Sequence, residues 1–494
     1  MLHKVFTTFA KHIGSTRGGH SLWPPFFLSL LLTFQPALAA ENDLNLPDIG
    51  DPASQVMTPR QESILGQELL RQIRGNLKLV TDPLLNSYIQ SLGDRLAAHS
   101  GSSQHDFHFL IADDPNINAF ATPGGVIVVN SGLILTVKDE SELAAVMAHE
   151  VAHVTQRHIA RMYASSKTFN ITTGLALLAA IIAGAYNPEV GQAAALSTLA
   201  AGEQHRLNFS RANEEEADRV GIQILAHTGY DPEAMPDFFA QLQRQTLTGS
   251  DQVPEFLRTH PVTANRLADS RARADQFKGK FRKDSVHFEI ARARLQALET
   301  PAADMLAQYE KSGAAYRSKT SSRYAYAIAL IRSGRYAPAI KQLQALTKAS
   351  PNEVAFQLSL AQAHLENGDL KTALEQFERL NNVYPGYEPV MMAYGNALIR
   401  AGRYDQAYRL LNNVLSTQPD NPEVFMILAK AADKAGYAAV SHEALAEYSF
   451  AHAQYNQARE QLQIALRNHP RDSITRERIQ SKLKLLSKVP EQNK

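Results

Sequence analysis

The sequence contains no cysteine in 494 residues, and it has no excess of charge of either sign. Without cysteine, disulfide frameworks, thiolate zinc sites and cysteine nucleophiles are excluded, so any metal site must use His, Glu or Asp. The 50 Lys and Arg residues face 49 Asp and Glu residues, which removes the electrostatic argument for a nucleic-acid-binding protein. What remains is ordinary globular composition, with enough chain for roughly two or three domains.

The amino-terminal residues have the pattern of a secretory signal. Three basic residues and no acidic residue precede an apolar run over 22–34, and Ala37-Leu38-Ala39 offers small residues where a signal peptidase cleaves. The run is shorter than the roughly 20 residues that span a bilayer as a helix. We therefore expect residues 1–39 to be a cleaved signal peptide, followed by a lead-in segment over 40–58. An uncleaved anchor and a translation start further downstream are the alternatives.

Short strands and then a long helix are predicted after the first helical segment. The tracts over 107–111 and Val126–Asn130 are rich in β-branched and aromatic residues. The second tract has two interpretations: an edge strand to which an extended substrate adds by main-chain hydrogen bonds, or an interior strand. The helix is predicted to begin at Asp139, which opens a capping-box pattern, and to continue past Ala160.

This helix carries the strongest chemical motif of the chain. His149-Glu150-Val151-Ala152-His153 is an H-E-x-x-H sequence within an apolar-patterned helix. Four residues advance a helix by about 400°, so His149 and His153 project from nearly one face and can hold one metal ion. Glu150 lies beside them, where it can take a proton from a metal-activated water as the general base of a peptidase.

A third metal ligand is needed, and spacing along the same helix does not supply it. His158 follows His149 by nine residues, which places it about 180° around a continuous helix. We therefore expect His158 to be a surface or packing residue. The ligand must then come from another helix, and the acidic tract Asn213-Glu214-Glu215-Glu216-Ala217-Asp218 opens one.

The helical wheel separates the acidic residues of that tract. Glu214 lies roughly 50° from the centre of the apolar face, whereas Glu216 lies about 110° and Glu215 about 150° away. Glu214 is therefore the predicted inward-facing ligand, and Glu215 and Glu216 are expected to be solvated charges. Asp218, one turn later, shares the side of Glu214 and can accept a hydrogen bond from the far nitrogen of a ligand His. A set of two His and one Glu suits zinc.

An apolar stretch over 171–201 separates the two motifs. Each of its halves is too short to span a bilayer. Two interpretations stay open: a buried helical hairpin, or a lid or peripheral membrane contact beside the active site.

The carboxyl-terminal part repeats with a fixed period. Glycines recur 34 residues apart, and alanines and prolines keep their own positions in the same period. This pattern resembles the tetratricopeptide repeat and covers residues 303–486, leaving a tail over 487–494. The last hairpin is out of phase, with Ala453 in the glycine position, which indicates a half-repeat insertion or a degenerate helix near 440–452. Such repeats commonly bind proteins on a concave face, although they can also only brace a neighbouring domain. The repeated glycines are Gly334, Gly368, Gly402 and Gly436.

The two motifs together carry a family resemblance. His149-Glu150-x-x-His153 followed by Ser210-Arg211-x-x-Glu214-x-x-Ala217-Asp218 resembles the gluzincin metallopeptidases that include the CAAX prenyl endopeptidase and HtpX. The resemblance implies one zinc ion per chain, held by His149, His153 and Glu214. It also implies Glu150 as general base, with Asp218 and Arg211 supporting the ligands. The expected fold is mostly α with a small β-sheet, namely a zincin-like metallopeptidase domain over 59–300 and then an all-α tetratricopeptide superhelix.

The whole architecture is similar to periplasmic metalloproteases of Gram-negative bacteria that carry a tetratricopeptide domain. This resemblance implies a periplasmic endopeptidase that degrades misfolded or stalled outer-membrane β-barrel proteins, with repeats that bind these clients or their assembly machinery. The alternative is mainly a chaperone or adaptor with a largely latent protease site. In such proteins a loop His can occupy the water position of the metal, and Thr259-His260-Pro261 is the matching tripeptide, so His260 is the expected regulatory ligand.

Overall fold

The computed structural model describes residues 57–101, 106–164, 210–247, 253–282, 284–417, 421–468 and 473–487. The expected signal peptide, the apolar stretch over 171–201, and nearly all of the lead-in segment and the tail lie outside the described residues. Asp51–Lys494 forms one compact unit. The boundary expected near residues 300–303 therefore does not divide the structure into separate bodies, and it stays a prediction.

The first part of the described chain combines helices with one small sheet. The strands are β1 (His108–Ala112), β2 (Ala119–Ala121) and β3 (Val126–Asn130). The helices are α1 (Pro59–Asn76), α2 (Pro83–Ala97), α3 (Ser131–Thr136), α4 (Glu140–Thr155), α5 (His158–Ala164), α6 (Arg211–Thr228), α7 (Ala234–Leu247), α8 (Glu255–Thr259), α9 (Ala264–Ala274) and α10 (Val286–Glu299).

The sheet has the order β1-β3-β2, with β1 parallel and β2 antiparallel to β3. The edge-strand interpretation of Val126–Asn130 is therefore wrong, because β3 pairs on both sides. Its residues are all buried, since alternate side chains of a strand enter cores on opposite faces. Ile127 and Val129 pack in the core that contains α2 and α4, whereas Val126 and Val128 pack against α1.

Helix α4, which carries the H-E-x-x-H motif, runs through the centre of this part. Its start is as predicted, because the Asp139 side chain accepts a hydrogen bond from the Glu142 amide. Its end is not. The helix stops at Thr155, where the prediction continued it past Ala160, because Arg157 adopts a left-handed backbone with φ of 53°. Helix α5 then begins at His158 in a new direction.

The second part consists of paired helices. The four repeated glycines all adopt positive φ, between 72° and 84°, which glycine tolerates because it has no Cβ. Ala453, in the glycine position of the last hairpin, has φ of 55°. The segment near 440–452 belongs to a regular helix, Ala438–Ala451, and the half-repeat insertion stays a prediction. The helices are α11 (Ala302–Lys311), α12 (Ala314–Ser318), α13 (Thr320–Arg332), α14 (Tyr336–Ala349), α15 (Val354–Glu366), α16 (Leu370–Val383), α17 (Glu388–Arg400), α18 (Tyr404–Thr417), α19 (Pro422–Lys434), α20 (Ala438–Ala451), α21 (Tyr455–Asn468) and α22 (Ser473–Leu486).

A partly buried ion pair joins the two parts. Arg294 of α10 forms a bidentate ion pair with Asp82, at 2.8 and 2.6 Å, and donates to the Tyr324 hydroxyl of α13 at 2.9 Å. A second junction links α1 to the last repeats, where Arg71 stacks over the Phe450 ring at 4.7 Å. In the described part of the chain, no helix is both long and apolar enough to cross a membrane.

Candidate metal centre

Three helices bring four potential metal ligands to one buried point. His149 and His153 come from α4, Glu214 from the first turn of α6, and His260 from the C-cap of α8. Each is at most 2% exposed. One ligand atom from each of them lies within 4.8 Å of the others. The structure therefore brings together the predicted ligands and the predicted regulatory histidine.

The distances within this cluster fit a metal of tetrahedral preference. The Nε2 atoms of His149 and His153 are 3.0 Å apart, and the Glu214 carboxylate oxygens lie 3.6 and 3.5 Å from them, respectively. Atoms about 2 Å from one zinc ion in tetrahedral directions lie about 3.3 Å from each other. The nitrogen and oxygen atoms present therefore match zinc in both kind and spacing.

Close packing of α6 on α4 produces this convergence. Gly221 of α6 faces the backbone of α4, and a Cβ at that position would lie 3.3 Å from the His149 amide nitrogen. The absence of a side chain there lets the two helices approach. The N-cap Ser210 fixes where α6 begins, because its hydroxyl accepts from the Asn213 amide at 3.2 Å. Glu214 then lies in the first turn and faces α4.

Buried side chains hold two of the ligands. Asp218 Oδ1 lies 3.0 Å from His149 Nδ1, on the side of the ring away from His153. Arg266 of α9 binds both Asp218 oxygens at 2.8 Å and lies 2.8 Å from Glu214. Sequence reasoning missed Arg266, because it lies 48 residues beyond Asp218 and belongs to no motif.

Arg211, which the family resemblance implied as a support of the ligands, lies away from the cluster. Arg211 is exposed at the first residue of α6, and no hydrogen bond or ion pair joins it to the cluster among the described residues. Arg266, at 1% exposure, occupies the position beside Glu214 and Asp218. The structure therefore does not bring Arg211 to the cluster, and its role as a support of the ligands stays a prediction.

His153 and Glu214 are in the forms that bind a metal, whereas His149 is not. Burial opposes ionisation of His149, but hydrogen bonds to Asp218 and Glu214 and their charges outweigh it and raise the pKa of His149 to about 9, so a metal would displace a proton from this ring. Burial lowers the pKa of His153 well below its usual value, and the charge of His149 acts in the same direction. Burial opposes ionisation of Glu214, but His260 and a hydrogen bond from His149 outweigh it and hold the pKa of Glu214 well below its usual range. A neutral imidazole and an ionised carboxylate are the forms that coordinate metals.

Glu150 is placed for proton transfer. It is fully buried, and neither carboxylate oxygen has a hydrogen-bond partner among the described residues. Burial raises its pKa, against the charges of His260 and His149. A buried carboxylate without partners is costly, so this orphaned group fits a site that receives a water molecule and a substrate.

The main chain of β2 runs along the same site. Hydrogen-bonded pairs alternate in an antiparallel ladder, and the bonds at Asn118 and Thr122 show that Ala119 and Ala121 direct their N–H and C=O groups away from β3. Burial raises the pKa of Glu150, and the Ala121 amide offsets a small part of that rise. The unpaired edge of the sheet therefore faces the general-base position.

Aromatic packing holds the ring of His260, the predicted regulatory ligand, in place. Phe256 of α8 is fully buried, and its ring centroid lies 4.9 Å from that of His260. His260 Nδ1 is 3.0 Å from Glu214 Oε1, and its Nε2 is 3.5 Å from Glu150 Oε1. One imidazole therefore contacts both the ligand carboxylate and the candidate base.

His158 and Glu216 make contacts that the sequence did not predict. His158 is fully buried, as a packing residue would be, but it contacts His153 and Glu216 at hydrogen-bond distance. Burial lowers the pKa of His158 to about 4. Glu216, expected to be solvated, is paired with Arg161 at 3.0 Å, whereas Glu215 is exposed as expected.

Comparisons with known proteins find relatives for both parts of the chain. Residues 83–274 match Peptidase family M48, and residues 324–381 and 364–431 match tetratricopeptide repeats. The chain is 37% identical over 403 residues to the beta-barrel assembly-enhancing protease of Escherichia coli, covering 80% of this chain and 81% of that protein. It is 34% identical over 428 residues to the putative beta-barrel assembly-enhancing protease of Vibrio cholerae, covering 86% and 88%.

Among solved structures, MamA of Desulfovibrio magneticus matches 35% of this chain and 96% of its own, with 17% identity and a TM-score of 0.27. The family matches confirm the predicted architecture, which is mostly helical with a small sheet and a peptidase part followed by repeats. They also confirm the predicted metallopeptidase class.

Proposed function

This chain belongs to the family of the beta-barrel assembly-enhancing proteases, and from that premise we propose that it is a periplasmic zinc endopeptidase. Its proposed substrates are misfolded or stalled outer-membrane β-barrel proteins. The observation that carries the proposal is the convergence of His149, His153 and Glu214 beside the buried carboxyl of Glu150. The pattern of residues 1–39 and the names of the relatives support the location and the substrate class.

The chemistry assigned to this site divides between a metal and the side chains around it. We assign His149, His153 and Glu214 as the ligands of one zinc ion. Bound zinc supplies Lewis acidity, which polarises a peptide carbonyl and lowers the pKa of water. Glu150 takes the proton from the attacking water and delivers it to the leaving amine. Asp218 keeps the His149 ring oriented during these steps.

The edge of β2 is the proposed binding element for the substrate backbone. The outward main-chain groups of Ala119 and Ala121 can pair with an extended peptide, as in other cases of strand addition. Main-chain hydrogen bonds do not depend on the side chains of the substrate, which suits a protease that acts on many unfolded clients. The repeat domain supplies client selection or contact with the assembly machinery, in keeping with the use of tetratricopeptide surfaces for protein binding.

The position of His260 favours a second candidate function, a chaperone or adaptor with a largely latent protease site. The His260 ring lies against Glu214 and Glu150, where a reacting water and a substrate carbonyl would have to enter. We assign His260 as a regulatory ligand that closes the site in the resting protein. Displacement of the turn at residues 259–261 would then be required for proteolysis.

Metal analysis of the purified protein tests the ligand set. We expect one zinc ion per chain in the wild type and its loss in Glu214→Ala. The matched control is Glu215→Ala, an exposed carboxylate in the same helix, which should keep the metal. Undiminished zinc in Glu214→Ala would move the third ligand elsewhere and contradict the proposed site.

Two further variants distinguish the protease from the adaptor. Glu150→Gln should retain zinc but lose cleavage of an unfolded outer-membrane protein by about 10²-fold or more, because general-base catalysis is removed. His260→Ala should increase cleavage. If Glu150→Gln restores β-barrel assembly in cells as well as the wild type does, the adaptor function is favoured over the protease.

A further inference from the structure

The buried imidazole of His158 takes no part in the proposed reaction, yet it lies against a proposed zinc ligand. His158 Nδ1 is 2.9 Å from Nδ1 of His153, and the two rings are nearly perpendicular, with centroids 4.8 Å apart. The other nitrogen of His158, Nε2, is 3.2 Å from a carboxylate oxygen of Glu216. Two imidazoles and a carboxylate therefore form a chain that begins on the side of His153 away from the metal cluster.

The hydrogen-bonding capacities of these groups select one arrangement of protons. An ionised carboxylate only accepts hydrogen bonds, so His158 Nε2 carries a proton and donates it to Glu216. In a neutral imidazole the other nitrogen is an acceptor, so His158 Nδ1 accepts from Nδ1 of His153. Nε2 of His153 is then left unprotonated, and this atom faces His149 and Glu214.

Two arginines stabilise the ionised form of Glu216, which is the last group in this chain of hydrogen bonds. Arg161 Nη2 lies 3.0 Å from Glu216 Oε2, and Arg219 Nη2 lies 3.6 Å from Glu216 Oε1. The Glu216 side chain is 27% exposed, so it combines ion pairing with partial solvation. Both conditions favour the ionised form, which is the acceptor that the proton arrangement requires.

The backbone places His158 in this position by interrupting the helix. The left-handed conformation of Arg157, with φ of 53°, turns the chain between α4 and α5. A continuous helix would carry His158 to the opposite side of α4 from His149. The turn returns its ring to the side of His153 instead.

We propose that His158 is a positioning residue that holds His153 as the tautomer whose Nε2 coordinates zinc. This inference rests on the proposed function, because it takes His153 as a zinc ligand. Hydrogen bonding to the far nitrogen of a ligand imidazole is known to fix its tautomer and raise its basicity. The other ligand imidazole uses a direct carboxylate, since Asp218 lies 3.0 Å from His149 Nδ1. At His153, the imidazole of His158 lies between the ligand ring and the carboxylate of Glu216.

The test measures zinc affinity by competition with a chromophoric chelator, together with the absorption spectrum of the cobalt(II)-loaded protein, which reports ligand geometry. His158→Leu has similar bulk but accepts no hydrogen bond, so zinc affinity should fall roughly 10- to 100-fold and the cobalt spectrum should change. His158→Asn keeps a carbonyl oxygen near the position of Nδ1 and should recover most of the affinity. The matched control is Glu215→Gln, which should behave as the wild type.

The outcomes separate the inference from the proposed function. A His158→Leu protein with wild-type zinc affinity and cobalt spectrum would overturn the inference and leave the zinc site in place. Equal losses in the Leu and Asn variants would also overturn it, because packing would then be the cause. Wild-type protein without stoichiometric zinc would contradict the proposed function itself. If His158→Leu does not fold, Glu216→Met decides, since wild-type affinity in that variant would contradict the chain of hydrogen bonds.

Discussion

At the scale of single residues, one guanidinium forms ion pairs with two buried carboxylates of the site. Arg266 is 1% exposed and contacts Asp218 and Glu214, each at 2.8 Å. It also donates to the Pro261 carbonyl at 2.8 Å, next to His260. Arg266 therefore connects Glu214, a proposed ligand, with Asp218, the partner of another, and with the turn at residues 259–261 that carries the proposed regulatory histidine.

Removing this guanidinium should be severely destabilising. Arg266→Met leaves two buried carboxylates without their cation, and breaking such a pair costs about 3–5 kcal/mol of unfolding free energy. Urea denaturation of the purified protein measures the change. The matched control is Arg273→Met on the same helix, whose partner Asp269 is 46% exposed. That surface pair should contribute less than about 1 kcal/mol. Similar losses in the two variants would contradict the special role of Arg266.

Local periodicity was enough to find some residues of the site and not others. Glu214 could be distinguished from its acidic neighbours because the spacing of apolar residues along a helix indicates which face is buried. Arg266 was not predictable, because its two carboxylate partners, Asp218 and Glu214, lie 48 and 52 residues away in the sequence and no local pattern records such a contact. The role of His158 was missed for a different reason. The helical wheel assumed a continuous helix, and a single left-handed residue, Arg157, invalidated that assumption.

At the scale of elements, the position of α1 depends on backbone contact without side chains. Gly66 of α1 lies against the turn that precedes β3, and a Cβ there would come within 2.7 Å of the Gly124 Cα and 2.9 Å of the Pro123 oxygen. Gly124 itself has φ of 80° and faces the Glu62 carbonyl oxygen. The two glycines therefore let a helix and a turn touch at the main chain, on the face of the sheet opposite to α4.

Adding one methyl group should separate these elements. Alanine favours a helix over glycine by up to about 1 kcal/mol, but in Gly66→Ala the backbone clash should dominate and lower the unfolding free energy by about 1–3 kcal/mol. Gly279→Ala is the control, because that glycine is exposed and a Cβ would meet nothing within 4 Å. The control should be neutral or slightly stabilising in urea denaturation. A stabilised Gly66→Ala protein would show that α1 does not pack as described.

Strand existence was readable from the sequence, whereas strand order was not. Val126–Asn130 was found from its β-branched composition, but a buried edge strand and a central strand have the same composition when both faces are covered. β3 is a central strand because β1 and β2 pair with it on either side. These partners depend on the path of the chain outside the segment, which the composition of β3 does not record. The repeats were easier, because Gly334 and its equivalents mark turns whose positive φ requires the same residue each time.

At the scale of the whole molecule, the peptidase and repeat parts are joined by a largely buried ion pair, whose Arg294 and Asp82 side chains are 17% and 12% exposed. Asp82 caps the start of α2, because its side chain accepts from the Leu85 amide at 3.1 Å. The same carboxylate binds Arg294 of α10, which donates in turn to Tyr324 in the repeats. The charge of Asp82 therefore supports three features: a helix cap, a junction between helices and a contact between the two parts.

The junction should consequently weaken in acid. Burial opposes ionisation of Asp82, but the Arg294 charge and hydrogen bonds outweigh it, so the pKa of Asp82 is lowered from its usual value of 3.8. A carboxyl whose pKa is lower in the folded state contributes stability above its unfolded pKa and loses that contribution as the pH falls through the folded pKa. The loss should therefore occur below about pH 4.

Thermal denaturation between pH 2.5 and 6 can isolate this contribution. Asp82→Asn should be less stable than the wild type by about 3 kcal/mol near pH 6, because Arg294 is left buried without its counterion. The difference between the two proteins should shrink as the pH falls below 4, since protonated Asp82 resembles the amide. Asp433→Asn, which removes a carboxylate that is 63% exposed, should follow the wild type throughout. A difference between wild type and Asp82→Asn that stays constant over this range would mean that the charge of Asp82 does not hold the two parts together.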